Sequence, residues 1–235
     1  MCGRFTRYHS WSDIHQMYRL VDSVDVGRND IELRYNIAPT QQVPFITQGN
    51  AQGEHRVRMG QWWLVPGWAN ADDRKYPTFN ARSEDADTKA SFKSSFASKR
   101  CLIPADGFYE WTKPNKKERD PWHIFMPGHA PFSFAGLWAY NHKLDLTSCT
   151  ILTAAAQRPM AQLHDRQPII LDPAFYDRWL DPATSVPDAR EILKHDIDGQ
   201  LQFYRVDRLV NSAVAPDKNI NDGNPALIAR LSEAV

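Results

Sequence analysis

Apolar and aromatic residues recur along this chain in short β-rich runs, each broken by turn residues before it grows long. The runs at 43–47, 55–65, 101–111, 123–126, 132–138, 150–154, 168–171 and 201–206 are rich in β-branched and aromatic side chains and predict strands. Helical spacing is confined to three places. Trp11, Ile14, Met17, Tyr18 and Val21 follow the potential N-caps Ser10 and Ser12, Asp172-Pro173 leads into Phe175, Trp179 and Leu180, and Pro187 opens a stretch toward Leu193. Many strands with few helices, and no regular βαβ alternation, predict an α+β fold. The expected form is a single domain over residues 1–235, with a largely antiparallel, curved, barrel-like core and peripheral helices.

Composition narrows the class. The 235 residues are 42% hydrophobic, ample for a packed core. Lys plus Arg equals Asp plus Glu at 28 each, so any nucleic-acid site must be a local patch rather than a global basic excess. Cys2, Cys101 and Cys149 are an odd set without C-x-x-C spacing, which argues against a disulfide framework and a zinc site and fits a reducing compartment. Cys101 and Cys149 read as buried strand thiols. The eight histidines include no H-E-x-x-H, so no metal and no cofactor is expected. No apolar stretch is long enough to cross a bilayer and no secretory signal is evident, so a cytoplasmic location is expected.

Cys2 carries the most specific chemistry. Removal of Met1 would leave an α-amine and a thiol on one residue, a 1,2-aminothiol that traps aldehydes. The amine condenses to an imine and the thiol closes a five-membered thiazolidine; their unperturbed pKa values, about 8 and about 8.5, leave a useful reactive fraction near neutrality. Gly3, Arg4 and Phe5 follow, supplying close backbone approach, a cation and an aromatic anchor for an otherwise frayed terminus.

Other polar clusters sit where strand or loop patterning does not demand them. In chain order they read MCGRF from Met1, RYNIAP from Arg34, PGW from Pro66, NARSE from Asn80, DGFYEW from Asp106 and HDRQP from His164. Together they resemble the SRAP family of abasic-site processing proteins, over residues 2 to about 211. The segment from Val206 to Asn211 resembles a late family motif, with Asp207 in place of Ser. The resemblance implies a β-rich fold around a positively charged groove for single-stranded DNA, and a covalent crosslink from Cys2 to the abasic sugar. It maps active-site roles onto Cys2, Asn80, Glu110 and His164. DNA contacts map onto Arg4, Arg82 and Arg166, with Pro39 and Trp68 near the splayed strand. It also implies removal of Met1 by a peptidase activity and a possible lyase side reaction. Two departures, Trp63 after Trp62 and Ala69 after Trp68, predict a differently shaped stacking platform, and Arg74 and Lys75 read as solvated charges beside it.

The residue types suit that task independently. A closed hemiacetal needs a proton donor and acceptor to open, and a carboxyl held between aromatics, as Glu110 is between Tyr109 and Trp111, can have its pKa raised enough to do both. His164 titrates near neutrality, Asn80 orients, and the arginines grip phosphates in forked pairs while Trp68 and Pro39 pack on bases. The expected partner is abasic single-stranded DNA, bound by a monomer that associates with the nucleoid. Two other readings stand beside this one. A terminal Cys-Gly also opens N-terminal-nucleophile amidohydrolases such as glutaminases, where Asn80 would stabilise an oxyanion. A non-covalent single-strand-binding module would use the arginines and tryptophans alone.

Overall fold

The computed structural model describes residues 2–20, 32–51, 53–71, 76–113, 118–212 and 223–231; Val21, Arg74 and Lys75 lie outside them. Two sheets form the body. β1 (Phe5–Arg7), β2 (Arg34–Ile37), β7 (Gly107–Thr112), β8 (Asp120–Phe125) and β12 (Gln202–Arg205) make an antiparallel sheet in the order β12-β8-β7-β1-β2. The other sheet contains β3 (Gln42–Gln48), β4 (His55–Trp62), β6 (Arg100–Ala105), β9 (Phe132–Asn141) and β10 (Leu146–Ala155). There β3 pairs with β4 and β6, β6 with β9, β9 with β10, and β10 with β4, so these five strands close on themselves. Closure gives the barrel-like core expected from the strand pattern and removes the edges of an open sheet. β5 (Asn80–Arg82) and β11 (Arg166–Pro168) add to β10. The pairings of β10 with β4 and β5 are parallel and the other named pairs are antiparallel.

Side-chain alternation divides the core. Phe45, Cys101, Ile103, Phe134, Cys149 and Ile151 pack with Phe5, Ile37, Phe108 and Ile124 of the five-stranded sheet. Their neighbours in sequence, Ile46, Leu102, Ala135 and Leu152, face the helical side with Ile14, Tyr18, Phe96 and Trp179. α1 (Trp11–Tyr18) starts at Ser10, which forms a capping box with Asp13, and ends at Arg19 in the left-handed conformation. α2 (Lys93–Ser98), which the sequence pattern did not single out, and α3 (Tyr176–Leu180) are tied together by the buried Arg100. Its guanidinium donates to the carbonyls of Phe96, Ala97, Trp179 and Thr184 at 2.7–3.1 Å, and also to that of Asp181. One side chain thereby satisfies the carbonyl ends of two helices. α4 (Val186–Ile192) starts at Ser185, close to the predicted opening at Pro187.

One predicted element is corrected. The run 101–111 reads as a single strand but is two, in different sheets, broken at Asp106. The Asp106 carboxylate accepts the backbone N–H of Tyr8 and of His9 (3.0 Å for His9) and the His9 imidazole, pinning the corner to the end of β1. Gly107 follows because a Cβ there would lie 2.3 Å from the His123 Nε2 and 2.8 Å from the Ile124 carbonyl oxygen.

His123 is fully buried among Tyr109, Phe125, His129 and Tyr204, and neither ring nitrogen has a hydrogen-bond partner among the described residues. Burial, then the nearby His129, pushes its pKa from 6.5 down to about 3. The unfolded chain therefore binds a proton that the folded chain refuses across this window. Stability falls as pH drops through it, with a slope approaching about 1.4 kcal/mol per pH unit. Urea midpoints measured from about pH 7 down to about pH 4 should decline less steeply for His123→Leu than for the wild type. Parallel declines would show that His123 does not set the acid limit.

Candidate active site

The register of β1 against β7 places the amino-terminal segment. Phe5 pairs with Phe108 and Thr6 with Gly107, and the Tyr109 N–H donates to the Arg4 carbonyl at 3.0 Å. Continued outward, that register runs residues 2–3 alongside Glu110. Phe5 is the anchor: it is fully buried, with ring centroids 5.0 Å from Trp62 and 5.8 Å from Phe134, both edge-on.

Cys2 is buried and its carbonyl accepts a 2.8 Å hydrogen bond from Asn80 Nδ2. Asn80 opens β5, opposite Ile151 of β10, so the barrel holds it. Its Oδ1 is buried without a hydrogen-bond partner among the described residues, a polar atom suited to receive a donor from a bound molecule. Burial, and next the Glu110 carboxylate, push the Cys2 thiol far above its usual pKa, while the chain's amino-terminal charge pulls the other way. A desolvated thiol beside a carboxylate is a proton donor rather than a standing thiolate.

Glu110 is 3% exposed, with its carboxyl pKa raised by burial and, to a lesser degree, by Asp165; the amino-terminal charge and His164 oppose the shift. His164 lies between the 3₁₀ turn Met160–Gln162 and β11. Its backbone N–H donates to the Met160 carbonyl at 3.1 Å, and its Nδ1 accepts the Arg166 backbone N–H at 2.9 Å. A groove of about 790 Å³ runs over these groups, lined by Gly3, Arg4, Glu110, Trp111, Leu163 and His164, with Thr112, Lys113, Arg119 and Asn211 continuing it. Cys2, Asn80, Glu110 and His164 thus form one constellation, two of them on the groove wall and two joined just behind Gly3.

The expected DNA contacts are placed less uniformly. Arg4 lines the groove, but one of its guanidinium nitrogens already donates to Asn36 Oδ1 (3.2 Å) and the Val210 carbonyl (3.1 Å), and burial lowers its pKa. Arg166 grips Glu84 with both terminal nitrogens, at 2.6 and 3.0 Å, and the Thr153 carbonyl at 2.7 Å. Arg82 ends β5 and is exposed. Pro39 lies in the turn after β2, and Trp68, 64% exposed, sits on a turn whose Pro66 and Ala69 carbonyls accept from Asn141. Pro39, Trp68, Arg82 and Arg166 are not among the groove's lining residues. Sequence reading missed Lys113 and Arg119 as groove cations. The signal for them is their position at the two roots of the β7–β8 hairpin loop, Lys113 directly after the strand that carries Glu110 and Arg119 directly before β8. Asn211 ties that wall together, accepting from Trp111 Nε1 at 2.6 Å and donating to the Arg119 carbonyl at 3.1 Å.

The fold and groove define a class of protein in which a closed barrel draws the amino-terminal cysteine beside a desolvated carboxyl, an imidazole and a carboxamide. Comparison with known proteins identifies the family: the description "SOS response associated peptidase (SRAP)" matches residues 1–213. The abasic site processing protein YoaM of Bacillus subtilis is 36% identical over 221 residues, covering 90% of this chain and 93% of that protein. YedK of Escherichia coli, of the same description, is 30% identical over 200 residues, covering 82% and 85%. A crystal structure of a Bacteroides thetaiotaomicron protein superposes with a TM-score of 0.81 at 20% identity, over 98% of this chain and 100% of that one, a likeness of fold. This chain belongs to the SRAP family.

The raised Glu110 has a stability consequence. Above its ordinary value of 4.5 the unfolded chain has lost a proton that the folded chain retains, so this side chain subtracts from stability as pH rises through that window. Glu110→Gln should therefore melt above the wild type at about pH 8, by about 2–4 °C for each ~1 kcal/mol recovered, with the gap closing toward about pH 4. Calorimetry at both pH values checks this; a gap that does not change with pH contradicts it.

Proposed function

We propose that this protein binds single-stranded DNA at an abasic site and joins Cys2 to the ring-opened sugar as a thiazolidine. The observation that carries the reading is the constellation itself: the terminal aminothiol residue is held against a protonatable carboxyl, with an imidazole on the same groove wall. The description of YoaM and YedK as abasic site processing proteins supports the same substrate.

The steps follow from the residues. Loss of Met1, by the peptidase activity that the family description names, exposes the Cys2 amine. Glu110 and His164 exchange protons with the closed sugar while its ring opens to the aldehyde. The amine adds to that carbonyl, and Glu110 returns a proton to the departing hydroxyl as water leaves and the imine forms. The Cys2 thiol then adds to the imine carbon and its proton passes to the imine nitrogen, which closes the ring. Asn80 holds the Cys2 carbonyl and so fixes the direction of both nucleophiles. Closure removes the imine that would otherwise acidify the neighbouring sugar proton and cut the strand by β-elimination, so the crosslink shields the site. Arg4, Arg82 and Arg166 contact phosphates, with Pro39 and Trp68 against the bases; Arg166 reaches phosphate only by exchanging it for Glu84.

With abasic single-stranded oligonucleotide, Cys2→Ser should form no heat-stable adduct while keeping imine-dependent strand cleavage. An undiminished adduct in that variant refutes the assignment. Glu110→Gln should slow crosslinking by about 10²–10⁴-fold while binding of the same DNA is retained, as loss of a general acid–base predicts. Denaturing gels and fluorescence anisotropy read the two effects separately; equal loss of both in a folded variant would make Glu110 structural.

A further inference from the structure

Two neighbours of one ring nitrogen make opposite demands on His164. Its Nδ1 accepts the backbone N–H of Arg166 at 2.9 Å, an arrangement that needs a lone pair on Nδ1 and so puts the proton of the neutral ring on Nε2. The Asp165 Oδ1 lies 2.8 Å from the same Nδ1. A carboxylate at that distance repels a lone pair and attracts a proton. The amide therefore favours the neutral ring and the carboxylate favours the imidazolium, and the ring can pass between the two states without turning.

We propose that Asp165 is a positioning residue, acting through His164: with the Arg166 amide it holds the imidazole balanced between a neutral Nε2–H donor and an imidazolium acid. This rests on the aldehyde-capture reading and specifies its ring-opening step. The imidazolium gives its Nε2 proton to the sugar ring oxygen as the bond from that oxygen to C1′ breaks. The C1′ hydroxyl gives its proton to the Glu110 carboxylate, and the aldehyde forms. His164 is left neutral with its remaining proton on Nδ1, facing Asp165, and Glu110 holds the proton it later returns when water leaves. The charged groups around the ring are Glu110 from β7, Asp165 beside it, and Arg4, Lys113 and Arg119 of the same groove. Asp165 is 86% exposed on its side chain, so solvent screens the pair and its influence is small but directional.

The test uses the full chain with Met1 removed and a saturating abasic oligonucleotide, and follows the single-turnover crosslinking rate from about pH 5 to about pH 9. Asp165→Asn should displace the alkaline limb of the profile by about half a pH unit toward acid, the size an exposed ion pair supports. Affinity for an oligonucleotide bearing a tetrahydrofuran abasic analogue should not change. Adding Asp165→Asn to His164→Gln should cost nothing further. An unmoved limb, or independent losses in the double variant, overturns the proposal. If the wild type forms no adduct, it is the aldehyde-capture reading that fails. The proton-state inference is still decided by ring ¹⁵N NMR of the free protein: at alkaline pH the neutral His164 should carry its proton on Nε2, and an Nδ1–H tautomer there overturns it.

Discussion

The pairing of β1 with β7 is the constraint on which the site depends. A three-residue strand that begins at the fifth residue has little intrinsic stability, since terminal backbone is cheap to fray. Here it lies between two partners, β7 and β2, and its first residue, Phe5, is anchored edge-on against Trp62 and Phe134. Burying one phenylalanine is worth about 1.5–3 kcal/mol, enough to hold so short an element once its backbone is hydrogen-bonded on both sides. The result is a terminus with the positional accuracy of a strand, aligned with Glu110 by register.

That accuracy has an electrostatic cost, and the cost is part of the chemistry. The burial that fixes Cys2 also removes water from its thiol and from Glu110, raising both pKa values, and the Glu110 carboxylate further disfavours the thiolate. A carboxyl whose pKa is raised by burial gives up its proton less readily and can act as acid and as base in turn. Arg4 is ordered by Asn36 and Val210, and Arg166 by Glu84 and Thr153.

Much of this was legible in the residues, for identifiable reasons. Continuous apolar and β-branched runs exposed the barrel strands because both faces of that sheet are buried against different partners, as Ile103 and Leu102 show. Caps at Ser10 and Asp172 marked helix starts through local chemistry that needs no tertiary context. The candidate site residues Cys2, Asn80, Glu110 and His164 came from motif order, since they are far apart in the chain. What stayed hidden depends on non-local geometry. β1, β2 and β5 are only three or four residues long, too short for a period to register. The break at Asp106 carries only the short signal Asp106-Gly107 inside an otherwise apolar run, and the capture of the Tyr8 and His9 amides is what turns the chain there. Lys113 and Arg119 look like ordinary hairpin charges until both are seen to line the groove.

The geometry also weighs between the two covalent readings of an amino-terminal cysteine. Amide hydrolysis asks the sulfur to make the first bond, and a thiolate does that best. Here burial and the Glu110 carboxylate both oppose a thiolate, and Asn80 spends one of its N–H groups on the Cys2 carbonyl rather than reserving it for an oxyanion. Aldehyde capture reverses the order of demand. The amine makes the first bond, the carboxyl supplies and recovers the proton as water leaves, and the sulfur adds last to a carbon already made electrophilic as an imine. A thiol that retains its proton until that final step is tuned for the second sequence and poorly tuned for the first. The desolvation that would handicap a hydrolase is therefore compatible with capture, because the group it suppresses acts only after the substrate is tethered.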